Sequence, residues 1–323
     1  MQDIHEQFPV YKSLPMDKGI LPKPIKVNKN IEIIREFDPS DASVALFDFD
    51  GNISREREGW PNFMVPVNAA FLVAYSQPTI SHQQAQEIAI GDIEATIGLP
   101  TYIQMKVLFQ RIRELGYTGP EINPKVFKDV YNDALVHYVE QRYADLDSGR
   151  LSIEDLRMPG SVELLAALEP RLKNGFYIGT GTDVAPIKRS VQKLGFSPYF
   201  PDDRIVGAGA GELGPEDCAK KYIVDMLTGK MGFEGKNIIS VGDGFPEILY
   251  VYLAGGIPIG VVSSDRSNYE RPSKAGERPH FTTQQKAQRL KDAGAVVMIY
   301  NPFENIDAIV QTVFNGYRHS AVR

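Results

Sequence analysis

Two aspartates spaced by one residue, Asp48 and Asp50, follow the apolar run Val44-Ala45-Leu46-Phe47 and lead into Gly51-Asn52. An apolar run of this length bounded by turn residues predicts a buried strand. In α/β sheets, reactive groups sit just beyond the carboxyl ends of strands. Two carboxylates held together there repel each other unless a cation or a proton separates their charges. The segment therefore points to a metal-dependent acid site.

Three more pieces carry chemistry-bearing residues at predicted strand ends or helix starts. Gly179-Thr180-Gly181-Thr182-Asp183 follows the apolar Phe176-Tyr177-Ile178. Gly242-Asp243-Gly244-Phe245-Pro246-Glu247 follows Ile238-Ile239-Ser240-Val241. A lysine, Lys220 or Lys221, stands at a helix start, and the spacing from Lys220 to Ile223 favours Lys220. If the strands are parallel, all four pieces meet on one edge of a sheet.

The pattern along the chain predicts such a sheet. From 158 onward, short apolar strands alternate with helices: Ser161 to Leu172, Ala185 to Leu194, Tyr222 to Leu227, Pro246 to Ala254, Gln284 to Ala293 and Ile306 to Phe314. That alternation predicts a Rossmann-like α/β core, a doubly wound parallel sheet with helices on both faces. Between about 60 and 157 the spacing is helical, over Ala85 to Ile97, Tyr102 to Leu115 and Pro124 to Tyr143, punctuated by Pro66, Pro78, Pro100 and Pro120. The expected organisation is an N-terminal extension over 1–40, mostly irregular, an α/β core over 41–57 and 158–323, and an inserted all-α cap over 58–157. Ser263 to Phe281, polar and charged, predicts a mobile loop.

Bulk composition narrows the partners. The chain has 323 residues, 43% hydrophobic and 24% charged, as an ordinary globular protein of about two domains has. A net charge of −6 argues against nucleic acid as a main partner. No apolar stretch reaches the about 18 residues of a membrane span. Cys218 is the only cysteine, and the N-terminus lacks a secretory pattern, so a cytoplasmic location is expected. Cys218 has no histidine or metal cluster beside it and is expected to be inert.

Taken together, the four motifs resemble the haloacid dehalogenase superfamily, specifically its phosphatases with a helical cap inserted after the first motif. The resemblance spans about residues 44 to 262. It departs from the family pattern at Asn52, where threonine is usual, and at Glu247, where aspartate is common. It implies an Mg²⁺-dependent phosphomonoester hydrolase acting on a small-molecule phosphate ester. Asp48 would be the nucleophile and form an aspartyl-phosphate. Asp50 would protonate the leaving alkoxide and then activate water. Mg²⁺ would be held by Asp48, the Asp50 carbonyl and Asp243, with Glu247 orienting ligands behind them. Thr180, Gly181 and Asn52 would bind phosphoryl oxygens, and the Lys220 ammonium would neutralise charge. The Gly181-Thr182-Asp183 and Thr101-to-Met105 segments resemble a subgroup linked to sugar-phosphate metabolism, which favours a sugar or cyclitol phosphate.

Substrate contacts beyond the phosphoryl group are expected from Arg55 and Arg57, where the chain enters the cap, and from Tyr102 and Gln104 on a cap helix. Each competes with a plainer reading as a solvated face. Trp60 reads as a core anchor rather than a stacking platform. Gly207 to Gly211 imitates part of a dinucleotide fingerprint, but its spacing fails and a loop is expected. A dehalogenase or a phosphonate hydrolase should lack Asp50. A phosphomutase or a catalytically silent binding protein on the same scaffold stays open.

Overall fold

In a computed structural model of the chain, residues 19–211, 213, 214, 217–262, 283–301 and 303–317 are described. The loop expected over Ser263 to Phe281 lies outside them. The centre is β3, Val44–Phe47, whose four residues are all buried. Side chains alternate across a strand. Ala45 and Phe47 therefore enter one apolar cluster, while Val44 and Leu46 enter another on the opposite face. A strand covered on both faces must be apolar throughout, which is why its sequence shows no alternation.

The remaining strands are β1 (Ile25–Lys26), β2 (Ile31–Ile33), β4 (Phe176–Asp183), β5 (Ile205–Ala208), β6 (Ile238–Gly242), β7 (Ile257–Val261) and β8 (Val297–Ile299). They form one sheet in the order β1-β2-β8-β7-β6-β3-β4-β5. From β8 to β5 every pairing is parallel, as the strand and helix alternation predicts. Phe47 pairs with both Ile178 and Val241, so Asp48, Thr180 and Asp243 emerge side by side at the carboxyl edge.

The described part of the N-terminal stretch, 19–40, is largely irregular but carries two short strands, β1 and β2, which add antiparallel to the sheet edge at β8. The Ile-Glu-Ile pattern of β2 is the cause. Ile31 and Ile33 are buried, while Glu32 pairs with Lys291 at 3.1 Å and accepts from Tyr300 at 2.6 Å on the other face.

After β3 the chain forms four successive helices: α1 (Pro61–Tyr75), α2 (His82–Thr96), α3 (Thr101–Glu114) and α4 (Pro124–Asp147). Sequence periodicity does not reveal α1 and makes Pro66 look like a breaker. Pro66 instead lies inside that helix. Its missing N–H is tolerated because Met64, Ala69 and Leu72 bury the helix in a cluster with Ile93, Met105 and Phe127. A capping box between Ser81 and Gln84 starts α2, and the Asn123 carboxamide oxygen, accepting from Lys125 N–H at 2.9 Å, starts α4. The chain enters and leaves this block side by side. Arg55 N–H donates to the Leu156 carbonyl (2.8 Å), and Met158 N–H donates to the Ile53 carbonyl (3.0 Å).

Later helices are α5 (Ser161–Leu168), α6 (Val184–Lys193), α7 (Ala219–Asp225), α8 (Phe245–Leu253), α9 (Thr283–Ala293) and α10 (Ile306–Asn315). Helix α7 begins three residues earlier than its apolar spacing suggests and ends in a π-helical turn over Met226–Lys230. The earlier start puts Lys220 in its first turn. Among the described residues no helix is long and apolar enough to cross a membrane.

The phenyl ring of Phe47 is fully buried and packs edge-on against Phe176 (5.6 Å between centroids) and Phe200 (5.9 Å). Phe47→Ala removes both contacts beneath Asp48. The expected cost is about 3–5 kcal/mol in urea unfolding, and a loss under about 1 kcal/mol would contradict this packing.

Candidate active site

The turn after β3 separates the two aspartates. Asp48 stays in register with the sheet, its N–H donating to the Val241 carbonyl at 3.0 Å. The Phe49 carbonyl then accepts from the N–H groups of Asn52, Ile53 and Ser54 (3.3, 2.9 and 3.0 Å), and Gly51 takes φ 83°. That left-handed conformation is open to glycine at little cost. The reversal leaves Asp48 facing β6 and α7 and turns Asp50 toward β4.

Lys220 reaches Asp48 across a glycine. A Cβ on Gly179 would lie 3.0 Å from Lys220 Cγ, so the bare backbone of β4 gives the lysine stem its path. The ammonium, on a residue only 4% exposed, sits 2.9 Å from Asp48 Oδ1 and 2.8 Å from Glu247 Oε2. Gly242 plays the same part for Glu247, whose Oε1 a Cβ there would meet at 2.1 Å. Glu247 Oε1 accepts the Gly244 N–H at 2.7 Å, closing a cap on α8.

Asp48, Asp243 and Glu247 each place a carboxylate oxygen within 4.8 Å of the others, and Glu247 is fully buried. Burial pushes the Asp48 carboxyl well above the usual carboxylate range; Lys220 opposes this, and Glu247 and Asp243 add to it. Glu247 is pushed up for the same reason. Burial disfavours the Lys220 ammonium, but Asp48 and Glu247 outweigh it and raise its pKa. Asp243 has two neighbours of its own: Asn52 Nδ2 at 2.7 Å from Oδ1, and Lys286 Nζ at 2.7 Å from Oδ2. Asn52 Oδ1 is buried without a hydrogen-bond partner among the described residues. Three crowded carboxylates, all hard oxygen donors, with an unused amide oxygen beside them, fit a hard divalent cation.

Asp50 lies outside that cluster. Arg57 Nη1 donates to its Oδ1 at 3.0 Å and the Thr182 hydroxyl to its Oδ2 at 3.1 Å. Arg57 is buried and also pairs with Glu56. Glu56 in turn accepts from Tyr143 on α4 and Ser190 on α6. Burial raises the Glu56 carboxyl, while Asp50 and Glu56 hold the Arg57 guanidinium charged against its own burial.

A cavity of about 130 Å³ opens at this edge. Asp48, Asp50, Thr180, Gly181, Lys220 and Asp243 line it from the sheet side, and Trp60, Leu99, Gln104 and Tyr131 from the helical block. A second cavity of about 340 Å³ lies between α4 and α6. The two share Arg57, Thr101, Tyr131, Leu135 and Thr182, and the second adds the Lys128–Asp183 ion pair (2.6 Å) and Asn132.

The structure thus brings Asp48, Asp50, Thr180, Gly181, Lys220 and Asp243 together. Lys221 points away to an exposed pair with Asp225. Glu247, expected to orient ligands from behind Asp48 and Asp243, places a carboxylate oxygen within 4.8 Å of theirs, and the missing Cβ of Gly242 leaves room for its side chain. Asn52 does not line the cavity; its amide is spent on Asp243. Of the substrate candidates, Arg57 and Gln104 line the cavity. Arg55 is occupied by Glu58 at 2.8 Å, and the exposed Tyr102 hydroxyl lies 3.4 Å from Asn123 Oδ1. Trp60 packs on the helical cluster and also edges the cavity. Burial pushes the Cys218 thiol up, away from the reactive thiolate. Sequence reasoning misses Lys286, Glu56, Tyr143 and Ser190. The charge-rich Arg55-to-Trp60 stretch is the only signal for Glu56, and nothing in the spacing signals Lys286.

No protein-family model and no curated protein sequence matches the chain. Among solved structures, a phosphonoacetaldehyde hydrolase-like protein from Oleispira antarctica is 17% identical, with a TM-score of 0.55 over 90% of this chain and 96% of that one. A predicted phosphatase from Clostridium acetobutylicum is also 17% identical, with a TM-score of 0.52 over 85% of this chain and 100% of that one. At such identity the likeness is one of fold. The parallel sheet with helices inserted after its first central strand is the fold of the haloacid dehalogenase superfamily, and this chain has it.

Proposed function

We propose that the protein is a phosphomonoester hydrolase that works through an aspartyl-phosphate on Asp48. One observation carries this reading: Asp48, Asp50, Thr180, Lys220 and Asp243 line a single cavity at the carboxyl edge of the sheet. The Asp48 carboxylate attacks phosphorus and the ester P–O bond breaks. Asp50, in its protonated form, gives its proton to the departing alkoxide. Asp50 then takes a proton from a water that attacks phosphorus, releasing inorganic phosphate and restoring Asp48. The Thr180 hydroxyl and Gly181 N–H bind phosphoryl oxygens, and the Lys220 ammonium balances their charge. Asp48, Asp243, Glu247 and the Asp50 carbonyl would hold Mg²⁺. When bound, it would supply the positive charge that lets an anionic carboxylate approach an anionic phosphoryl group.

We assign 58–157 as a cap over this cavity, with the leaving group held beneath it. A cavity of this size, walled on one side by the helical block, suits a small metabolite, and a sugar or cyclitol phosphate is the preferred class. The neighbouring Lys128, Asn132 and Asp183 offer the mixed donors and acceptors that hydroxyl groups need. A cytoplasmic location is part of the same proposal.

The name of the phosphonoacetaldehyde hydrolase-like neighbour raises C–P bond cleavage. The presence of Asp50 at the cavity argues for ester hydrolysis, because a leaving alkoxide needs a proton donor. A phosphotransferase would use the same residues and differ only in passing the phosphoryl group to a hydroxyl in place of water.

Incubation with a panel of phosphorylated sugars, polyols and nucleotides with Mg²⁺ should release phosphate from a narrow subset. Release from no ester, including a chromogenic one, would overturn the reading. Asp48→Asn should lower turnover by at least about a thousandfold while leaving the thermal unfolding midpoint near that of the wild type. Chelation with EDTA should abolish release and added Mg²⁺ restore it; activity indifferent to EDTA would rule out the cation.

A further inference from the structure

Lys286 belongs to none of the four motifs. It comes from α9, beyond β7, yet it is only 4% exposed and its ammonium lies 2.7 Å from Asp243 Oδ2. Its placement is firm, because the adjacent Ala287 and Leu290 are buried in an apolar cluster with Phe245 and Ile248. The obvious role is to neutralise Asp243. Lys220 already bridges Asp48 and Glu247, however, and the Asn52 amide already donates to Asp243. Among the described residues, three clustered carboxylates thus face two buried ammonium groups, where one would leave a clear excess of negative charge for a divalent cation.

An ammonium on a ligating carboxylate opposes a second cation twice. It draws electron density from the ligand oxygens, and it repels the incoming charge across a medium that screens poorly. We propose that Lys286 is a built-in competitor for the cation seat, keeping metal binding at Asp48, Asp243 and Glu247 weak until the phosphoryl anion of a substrate adds its negative charge. In this role Lys286 is a positioning residue, acting through Asp243 without touching the reacting atoms. The role rests on the cluster being a cation seat, as proposed above.

Calorimetric titration of the full chain with Mn²⁺, in the absence of phosphate, tests this apart from catalysis. Lys286→Gln keeps a hydrogen-bond donor near Asp243 without the charge, and Lys286→Met removes both. Both neutral variants should bind Mn²⁺ at least about tenfold more tightly than the wild type, and Lys286→Arg should match the wild type. A merely structural lysine would give the opposite sign, since its loss would loosen Asp243 and weaken binding. Unchanged or weaker binding in Lys286→Gln, or no Mn²⁺ binding by any variant, would overturn the proposal. Should Lys286→Met fail to fold, Lys286→Gln decides. A wild-type chain that releases phosphate from no ester would defeat the hydrolase reading while leaving this titration valid. Mg²⁺-dependent hydrolysis with unchanged Mn²⁺ affinity in Lys286→Gln would defeat this inference alone.

Discussion

Three carboxylates, Asp48, Asp243 and Glu247, offer oxygens within 4.8 Å of one another at a largely buried sheet edge. Their mutual repulsion is the constraint that the rest of the site answers. Desolvation makes each charge costly, and removing one partner of such a cluster costs more than the pair itself contributes. The surroundings therefore supply positive charge and N–H donors from every direction. Lys220 enters over Gly179, Lys286 arrives from α9, the Asn52 amide folds back from the first turn, and the Gly244 N–H caps Glu247. Several of these would be lost if a glycine gained a Cβ, so backbone and electrostatics are specified together.

A second network joins this edge to the helical block. Arg57 holds Asp50 and Glu56, and Glu56 is held by Tyr143 and Ser190. Asp50 is thereby tied to α4 and α6 as well as to its own turn. Displacement of α4 would disturb Tyr143, and through Glu56 and Arg57 it would reach Asp50. Arg57 lines both cavities, with Thr101, Tyr131, Leu135 and Thr182, so its guanidinium stands between Asp50 and the adjoining space.

Much of this architecture is legible in the amino-acid sequence. The β3 run, the alternation after 158 and the motif spacing point to a parallel sheet with one reactive edge, because buried parallel strands must be apolar and chemistry collects at their carboxyl ends. Lys220 is distinguishable from Lys221 by its offset from Ile223, which puts it on the buried side of α7. Other features depend on tertiary context. Helix α1 contains Pro66, and only its burial in the helical cluster overrides the breaker. Glu56 and Arg57 look like a solvated hinge, since local sequence does not show that Tyr143 and Ser190, 87 and 134 residues away, close over Glu56. Lys286 is separated from Asp243 by 43 residues and shares no motif with it. The family pattern makes Asn52 a phosphate ligand, whereas its amide donates to the Asp243 carboxylate beside it.

The proposed chemistry converges on one bond, between Asp48 Oδ and phosphorus. Borohydride reduction of the chain, quenched during turnover of a good substrate, tests that bond directly, because an acyl-phosphate is reduced to the alcohol and a free carboxylate is not. Peptide mass spectrometry should find position 48 converted to homoserine, and only when substrate is present. Steady phosphate release with position 48 recovered wholly as aspartate, or with reduction at another carboxylate, would contradict a covalent route through Asp48.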